Sequence, residues 1–234
     1  GEFHDLFMDE PHRRLRPALE AAFGALDPDE VVLDLGAGSG LGVRQLAQTT
    51  RARIIAVEPS LTMRAVLLAR IVDDSTLTDR VSVLAGAVPD VFEQLPGQVA
   101  GFVCGHMLAH LSPADRAQTF AALAGRLAPT GAGVVTVNGM TAPPSGPAVE
   151  ERLIGGHRYV ARHLPPGAGG DADSEYEVYD ADGLLLRAAR FAADWTTITE
   201  DLLRSELAPA GWELTAREDA ATVLLVTREP EGEQ

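Results

Sequence analysis

Short apolar runs alternate with longer amphipathic segments along the first 140 residues of the chain. Each apolar run has the length of a buried strand, and each longer segment carries apolar residues at helical spacing. Strands that alternate with helices form a parallel sheet that is covered on both faces. The pattern therefore predicts an α/β fold, with strands at 31–35, 54–57, 81–84, 102–105 and 134–137 and helices at 41–49, 61–72 and 113–128.

The two ends of the chain show other patterns. A helical segment at 4–26, interrupted near Pro11 and Pro17, precedes the first strand. The region after a proline- and glycine-rich connection at 141–147 is β-rich. There we expect a short helix near 149–154, strands at 157–163, 175–179 and 184–193, a helix at 200–209, and an antiparallel pair at 212–216 and 222–227.

These patterns divide the chain into four segments. An N-terminal helical cap is expected at 1–28 and a core domain at 29–140. An inserted β segment at 141–198 separates this core from a C-terminal helix and hairpin at 199–234, which we expect to complete the core sheet.

The first strand leads into a glycine-rich turn. Asp34 ends an apolar run, and Gly36, Gly38 and Gly40 follow at alternate positions before a helix begins. Glycine lets the backbone turn tightly and approach a ligand closely, and the N-terminus of the helix then faces that ligand. The next strand ends in Glu58, where dinucleotide-binding folds place an acid that binds a ribose diol.

The spacing of the glycines distinguishes two classes of nucleotide ligand. Dinucleotide-binding folds carry G-x-G-x-x-G, whereas Asp34 to Gly40 reads D-x-G-x-G-x-G. This motif, followed by Glu58, resembles motif I of the class I S-adenosylmethionine (SAM)-dependent methyltransferases. The segment 127–131 also resembles the Leu-x-Pro-Gly-Gly turn of that family, with Thr130 as a departure.

The resemblance implies a fold, a cofactor and a set of cofactor contacts. The fold is a Rossmann-like, seven-stranded sheet with an antiparallel β lid inserted between strand 5 and the last helix. The cofactor is SAM, with S-adenosylhomocysteine (SAH) as product; in this family the acid at Asp34 lies near the methionine part and the acid at Glu58 binds the ribose. The implied cofactor-binding residues are Asp34, Gly36, Ala37, Gly38, Gly40, Glu58, Pro59, Ala87, Val88 and His106.

The expected adenine site departs from the family pattern. Family members often have Gly-Asp-Ala after the third strand, and this acid accepts a hydrogen bond from the adenine amino group. The present chain has Gly86, Ala87 and Val88 instead. We expect backbone groups at Ala87 and Val88 to meet the adenine edge, and Asp90 is the nearest side chain that could replace the acid.

Histidines are the candidates for removing a proton from the methyl acceptor. Methyl transfer depends on alignment of donor and acceptor, and a base that titrates near neutrality suits an acceptor that loses a proton. His106 is the first candidate, because the segment after strand 4 passes beside the sulfonium in this family. His157 and His163 on the inserted strands are further catalytic candidates, and His4 and His12 could act from the N-terminal cap. For any one of these histidines alone, ordinary packing or exposure is the simpler interpretation.

The composition excludes several partners. With 34 acidic and 19 basic residues the chain has a net charge of −15, which repels nucleic acid and favours a small-molecule acceptor.

A single cysteine, Cys104, excludes a disulfide within the chain, and no apolar run approaches the length of a membrane span. His106 and His110 have the spacing of two metal ligands but no third ligand nearby, so we predict no metal. We expect a cytoplasmic protein with no membrane partner.

The sequence leaves several functions open. The leading hypothesis is methyl transfer to an oxygen or nitrogen of a small metabolite, and the lysine-free composition, typical of a GC-rich bacterium, favours secondary metabolism. A nicotinamide-dependent oxidoreductase would share Glu58 and the strand-turn-helix but not the glycine spacing. A SAM-binding protein with other chemistry would share the cofactor motif. The edges of the inserted strands could also form a homodimer interface.

Overall fold

A computed structural model shows that the chain forms two compact units. The described residues are 3–137, 148–164, 172–193, 197–217 and 223–228. The first unit comprises Met8–Gly139 and Thr197–Gln234 together with Gly1, and the second comprises Glu2–Phe7 and Met140–Thr196. The helices are α1 (His4–Arg13), α2 (Arg16–Phe23), α3 (Leu41–Thr49), α4 (Leu61–Val72), α5 (Ser75–Thr78), α6 (Pro113–Ala124) and α7 (Glu200–Leu207).

A seven-stranded sheet forms the centre of the first unit. Its strands lie in the order β10-β11-β5-β4-β1-β2-β3. β1 to β5 run parallel, and β11 pairs antiparallel with both β5 and β10. The predicted α/β fold with a parallel, Rossmann-like sheet is confirmed. These strands are β1 (Val31–Leu35), β2 (Arg53–Glu58), β3 (Val81–Ala85), β4 (Val99–Cys104), β5 (Leu127–Thr136), β10 (Trp212–Arg217) and β11 (Val223–Arg228).

The order of the strands determines where a ligand can bind. β1 lies between β2 and β4, so the chain leaves β1 in one direction along the sheet and later returns to its other side. Ligands of open α/β sheets bind at such a switch point, outside the carboxyl ends of the strands. The segments that follow β1, β2 and β4 are the ones that reach this edge.

Successive residues of β1 bury opposite faces of the sheet. Val32 belongs to a cluster with Leu19 and Phe23 of α2, whereas Leu33 belongs to a cluster with Phe120 of α6. All five side chains are fully buried, as expected for a parallel sheet covered on both sides. The N-terminal segment, expected as one interrupted helix, forms α1 and α2, of which α2 packs directly on the sheet.

The end of α6 differs from the expectation. The predicted helix at 113–128 ends at Ala124, and the predicted turn at 129–131 lies within β5. Val99 of β4 pairs with Leu127, and Gly101 pairs with Ala132, so β5 carries three additional residues between these pairs. The proline-containing segment is absorbed as an irregularity of the strand, because Pro129 has no N–H to donate to a regular ladder.

A buried ion pair connects α6 to α7. Arg116 is 1% exposed, and its Nε and Nη2 donate to the two carboxylate oxygens of Glu206, each at 2.7 Å. Its Nη1 donates to the carbonyl of Leu111 at 2.7 Å. A buried guanidinium held in this bidentate way is stable only while both partners are present.

The second unit contains a four-stranded antiparallel sheet. Its strands lie in the order β6-β7-β8-β9, and their position between β5 and α7 is the one predicted for the inserted β segment. The strands are β6 (Ala148–Ile154), β7 (His157–Leu164), β8 (Ala172–Tyr179) and β9 (Leu185–Ala193).

The helix predicted near 149–154 is wrong, because this segment is β6. Each residue from Ala148 to Ile154 is paired with a residue of β7. A helix this short is marginal by itself, whereas pairing with a neighbouring strand satisfies its backbone groups. The predicted connection at 141–147 lies outside the described residues. Within the described part of the chain, no helix has the length and apolar character needed to cross a membrane.

Candidate functional site

The glycine-rich turn between β1 and α3 is anchored to the end of β2. The N–H groups of Gly36 and Ala37 both donate to the carbonyl of Val57, each at 2.9 Å. Gly36 has a φ of 72°, and a Cβ at this position would lie 2.7 Å from Cβ of Met107, which follows β4. Only glycine allows both this left-handed backbone and this close approach.

Glu58 connects the glycine turn to the start of α4. One carboxylate oxygen accepts from Gly38 N–H and the other from Ser60 N–H, each at 2.8 Å. Glu58 is 6% exposed. These two bonds hold the carboxylate at the carboxyl end of β2, and each oxygen has a second lone pair for a ligand hydroxyl.

Asp34, by contrast, is a buried acid whose charge is poorly satisfied. It is 3% exposed, and its Oδ2 accepts no hydrogen bond from any residue that the structure describes. Burial, and then the neighbouring charge of Glu58, raise the pKa of Asp34 from 3.8 to about 7. A cationic group placed beside this carboxylate would favour its charged form.

The expected adenine-binding residues lie just beyond β3. Ala87 is exposed, and Val88 is buried. The carbonyl of Ala87 already accepts from Val91 N–H at 3.0 Å, so its N–H is the backbone group that we assign to the adenine edge. Asp90 is exposed at the start of a short 3-10 helix. Adenine binding by Ala87 and Val88 stays a prediction.

His106 follows β4 in an unusual backbone conformation. Its φ is 59°, the left-handed region that non-glycine residues seldom adopt. Its N–H donates to Oγ1 of Thr136, at the end of β5, at 2.8 Å. Its ring lies 5.0 Å from the ring of His12, edge to face, between centroids.

His12 and Gly42 connect His106 to the glycine turn. A Cβ at Gly42 in α3 would lie 3.2 Å from Oδ2 of Asp34 and 3.5 Å from Cδ2 of His12. The structure thus brings Asp34, His12 and His106 together at the carboxyl edge of the sheet. In the sequence His12 is only one of several candidate histidines, and nothing marks Thr136, because a single threonine in a strand carries no signal of its partner.

The other two histidine candidates belong to the second unit. His157 is exposed at the start of β7. His163 has Nδ1 3.1 Å from Oγ of Ser174 and Nε2 3.8 Å from Oε1 of Glu150. These contacts are local to the four-stranded sheet, and a catalytic role for His157 or His163 stays a prediction.

Metal binding and thiol chemistry depend on other side chains of the described residues. Within the described residues, no three or more His, Cys, Asp and Glu side chains are grouped so that they could hold a metal ion. Cys104 is fully buried, and burial together with the charge of Asp34 raises the pKa of its thiol above the ordinary value. A thiol of this kind is a core residue and not a nucleophile.

Residues at this edge fit SAM in three respects. The turn at Gly36–Gly40 presents backbone to a ligand, Glu58 is held where a ribose would bind, and the unsatisfied Oδ2 of Asp34 suits a cationic amino group. SAM carries a ribose in its nucleoside part and a cationic amino group in its methionine part. The fit therefore rests on atoms that are already in place.

Comparison with known proteins finds a family similar to part of the chain. Residues 32–131 match the family model described as "Methyltransferase domain". No curated protein sequence matches the chain. Among solved structures, DesVI of Streptomyces venezuelae is 13% identical with a TM-score of 0.70, and 94% of this chain covers 92% of that one.

Two further structures are similar to the same extent. The amino pentose methyltransferase CalS10 of Micromonospora echinaspora is 19% identical, with a TM-score of 0.69, over 94% of this chain and 91% of that one. The sugar N-methyltransferase KedS8 of Streptoalloteichus sp. is 21% identical, with a TM-score of 0.64, over 94% and 86%. The glycine turn and the two acids lie within the matched residues, and their geometry is compatible with SAM as the cofactor. Residues 32–131 are therefore similar to a methyltransferase domain, and the chain shares the fold of these methyltransferase structures.

Proposed function

We propose that this enzyme transfers a methyl group from SAM to an oxygen or nitrogen of a small metabolite in bacterial secondary metabolism. The observation that carries the proposal is the grouping of Asp34, the glycine turn, Glu58 and His106 at one edge of the sheet. Similar structures include an amino pentose methyltransferase, a sugar N-methyltransferase and a glycopeptide N-methyltransferase. These similarities favour acceptors that carry an amine or hydroxyl on a natural-product scaffold.

The residues have separate roles in the proposed reaction. SAM supplies an electrophilic methyl group: its bond to sulfur breaks as the bond to the acceptor oxygen or nitrogen forms, and SAH leaves. Glu58 binds the ribose hydroxyls, Asp34 faces the methionine part, and backbone at Ala87 and Val88 meets the adenine. His106 accepts the proton that the acceptor loses, and its fixed position orients the acceptor for in-line attack. His157 and His163 are the second choice for the base.

The remaining features of the proposal concern location and partners. A net charge of −15 supports a small molecule rather than nucleic acid as acceptor. We also propose a cytoplasmic location, and a homodimer formed through the edges of the inserted sheet, where Leu153 and Leu185 are exposed. The nicotinamide alternative is set aside, because residues 32–131 match the methyltransferase model.

Binding of SAH by calorimetry, with NADH in parallel, tests the cofactor site. Gly38→Arg places a long side chain at a position with a φ of 57° within the turn, and we expect it to abolish measurable SAH binding. Gly97→Arg is the matched control, because a Cβ at Gly97 meets nothing within 4 Å. Undiminished SAH affinity in Gly38→Arg would contradict the assignment of the turn.

A panel of acceptors tests the reaction. Amino sugars, their hydroxyl analogues and an amine-bearing glycopeptide are incubated with SAM, and the products are weighed by mass spectrometry. A gain of one methylene unit supports transfer, and the fragment that gains it distinguishes nitrogen from oxygen. SAM consumption without any such gain would instead support the alternative of a SAM-binding protein with other chemistry.

A further inference from the structure

The conformation of His106 requires an explanation beyond the fold. Among the described residues it is the one non-glycine residue with a positive φ. A strained backbone of this kind persists only where the surrounding structure fixes it, and such positions concentrate at functional sites. Among the described residues, Thr136 contacts the backbone of His106 and His12 contacts its ring.

Thr136 provides the backbone contact. Its hydroxyl oxygen accepts from His106 N–H at 2.8 Å, and Thr136 is 4% exposed. Thr136 lies at the last position of β5, where the ladder to β11 pairs it with Val223. The backbone of the acceptor residue is therefore held by the ladder to β11, and its hydroxyl fixes the direction in which the chain leaves β4.

His12 provides the ring contact. Its ring packs against that of His106 at 5.0 Å and 62°, and it is 7% exposed. Its Nδ1 lies 2.7 Å from the carbonyl of Met8, which can only accept, so Nδ1 carries the proton and the ring is fixed on α1. The same helix is connected to α3 by a 2.5 Å ion pair between Asp9 and Arg44.

We propose that Thr136 and His12 are positioning residues that hold the imidazole of His106 at the methyl-transfer position. This rests on the proposed function of His106. One contact fixes the backbone and the other fixes the ring, so together they determine where the ring nitrogen lies. If the two residues had a merely structural role, replacing them would lower the stability of the fold but would not change how His106 contacts a ligand.

The ligand sinefungin tests this without knowledge of the acceptor. It carries an amine-bearing carbon where SAM has its methyl-sulfonium, whereas SAH has neither group. The ratio of the SAH and sinefungin dissociation constants therefore reports contacts at the methyl position alone. An ammonium that donates to a well-placed imidazole should favour sinefungin by about tenfold or more, and His106→Ala should remove this preference.

Four variants then separate positioning from packing. Thr136→Val removes the hydroxyl at constant volume, and Thr136→Ser retains it. His12→Leu removes the ring contact, and Glu10→Ala on the exposed face of α1 is the matched control. We expect Thr136→Val and His12→Leu to lose about tenfold in the preference for sinefungin, while SAH affinity stays within about twofold. Thr136→Ser and Glu10→Ala should keep the wild-type ratio.

The outcomes distinguish this proposal from the proposed function. A wild-type protein that does not bind SAH overturns the proposed function. Equal affinity for the two compounds, or a ratio unchanged in His106→Ala, overturns the placement of His106 and with it this proposal. A wild-type ratio in Thr136→Val and His12→Leu overturns the positioning role alone. If Thr136→Val does not bind SAH at all, the preference of His12→Leu for sinefungin over SAH decides whether the positioning role holds.

Discussion

Replacing Asp34 by asparagine should change how the stability of the protein depends on pH. Asp34 is buried, and its pKa is raised from 3.8 to about 7. A folded-state pKa above the unfolded value means that the folded protein binds the proton more tightly. Stability from this group is therefore fully present below pH 3.8 and is lost as the pH rises through about 7. Asparagine cannot ionise, so this loss disappears in the variant.

The magnitude follows from the two pKa values. Each pKa unit corresponds to about 1.4 kcal/mol, so ionised Asp34 destabilises the fold at high pH by about 4 kcal/mol relative to an exposed aspartate. Between pH 5 and pH 8 the same values give a loss of about 2–3 kcal/mol. For a chain of this length, that loss corresponds to about 5–10 °C in Tm. The buried amide adds a cost of its own, but this cost is equal at the two pH values and cancels in the comparison.

Scanning calorimetry of the ligand-free protein at pH 5 and pH 8 measures this difference. The wild type should lose about 5–10 °C more than Asp34→Asn between the two pH values. Asp29→Asn, at an exposed aspartate in the turn before β1, controls for removal of a carboxylate and should follow the wild type. Parallel pH dependence in the wild type and Asp34→Asn would refute the reasoning that Asp34 is buried without adequate compensation.

Three further predictions concern the site and its support. Binding of SAH at pH 6 should release nearly one proton, because a cationic amino group beside Asp34 would favour its carboxylate. Calorimetry in two buffers of different ionisation enthalpy measures this proton release. The release should vanish in Asp34→Asn. Gly36→Ala should prevent SAH binding and lower Tm, since its Cβ would lie 2.7 Å from Cβ of Met107; wild-type binding would contradict this. Glu206→Gln should destabilise the fold by about 3–5 kcal/mol in urea unfolding, because Arg116 remains buried and charged. SAH affinity should be unchanged at urea concentrations below the unfolding transition.

Those features that depend on local sequence were predictable. The alternation of apolar runs and helices predicted the parallel sheet, and the glycine spacing with Glu58 predicted the turn at its carboxyl edge. Helix starts were also local: the hydroxyls of Ser60, Ser112 and Thr199 each accept from the backbone N–H three residues further along the chain. Each of these signals lies within a few residues of the structure that it determines.

The features that depend on distant pairing were not predictable. The residues of β6 carry no clear strand signal, and their conformation is set by the register with β7. The contact of His12 with His106 joins residues 12 and 106, and the bond to Thr136 joins 106 and 136. Nothing in the local sequence of a histidine or a threonine specifies such a partner. The cofactor half of the site is therefore encoded in a motif, whereas the half around His106 is encoded in the fold.

The two acids of the motif divide the cofactor site into parts with different energetics. Glu58 accepts from Gly38 and Ser60, so the turn and the start of α4 are held in place before any ligand binds. Asp34 has an oxygen without a hydrogen bond from any described residue, and its charge is opposed by burial and by Glu58. A ligand with a cationic group near Asp34 relieves this opposition, whereas a neutral nucleoside does not. If this edge binds SAM as proposed, selectivity for a cofactor with a methionine amino group follows from Asp34, which the fold leaves unsatisfied. Affinity for the nucleoside then follows from Glu58, which the fold satisfies.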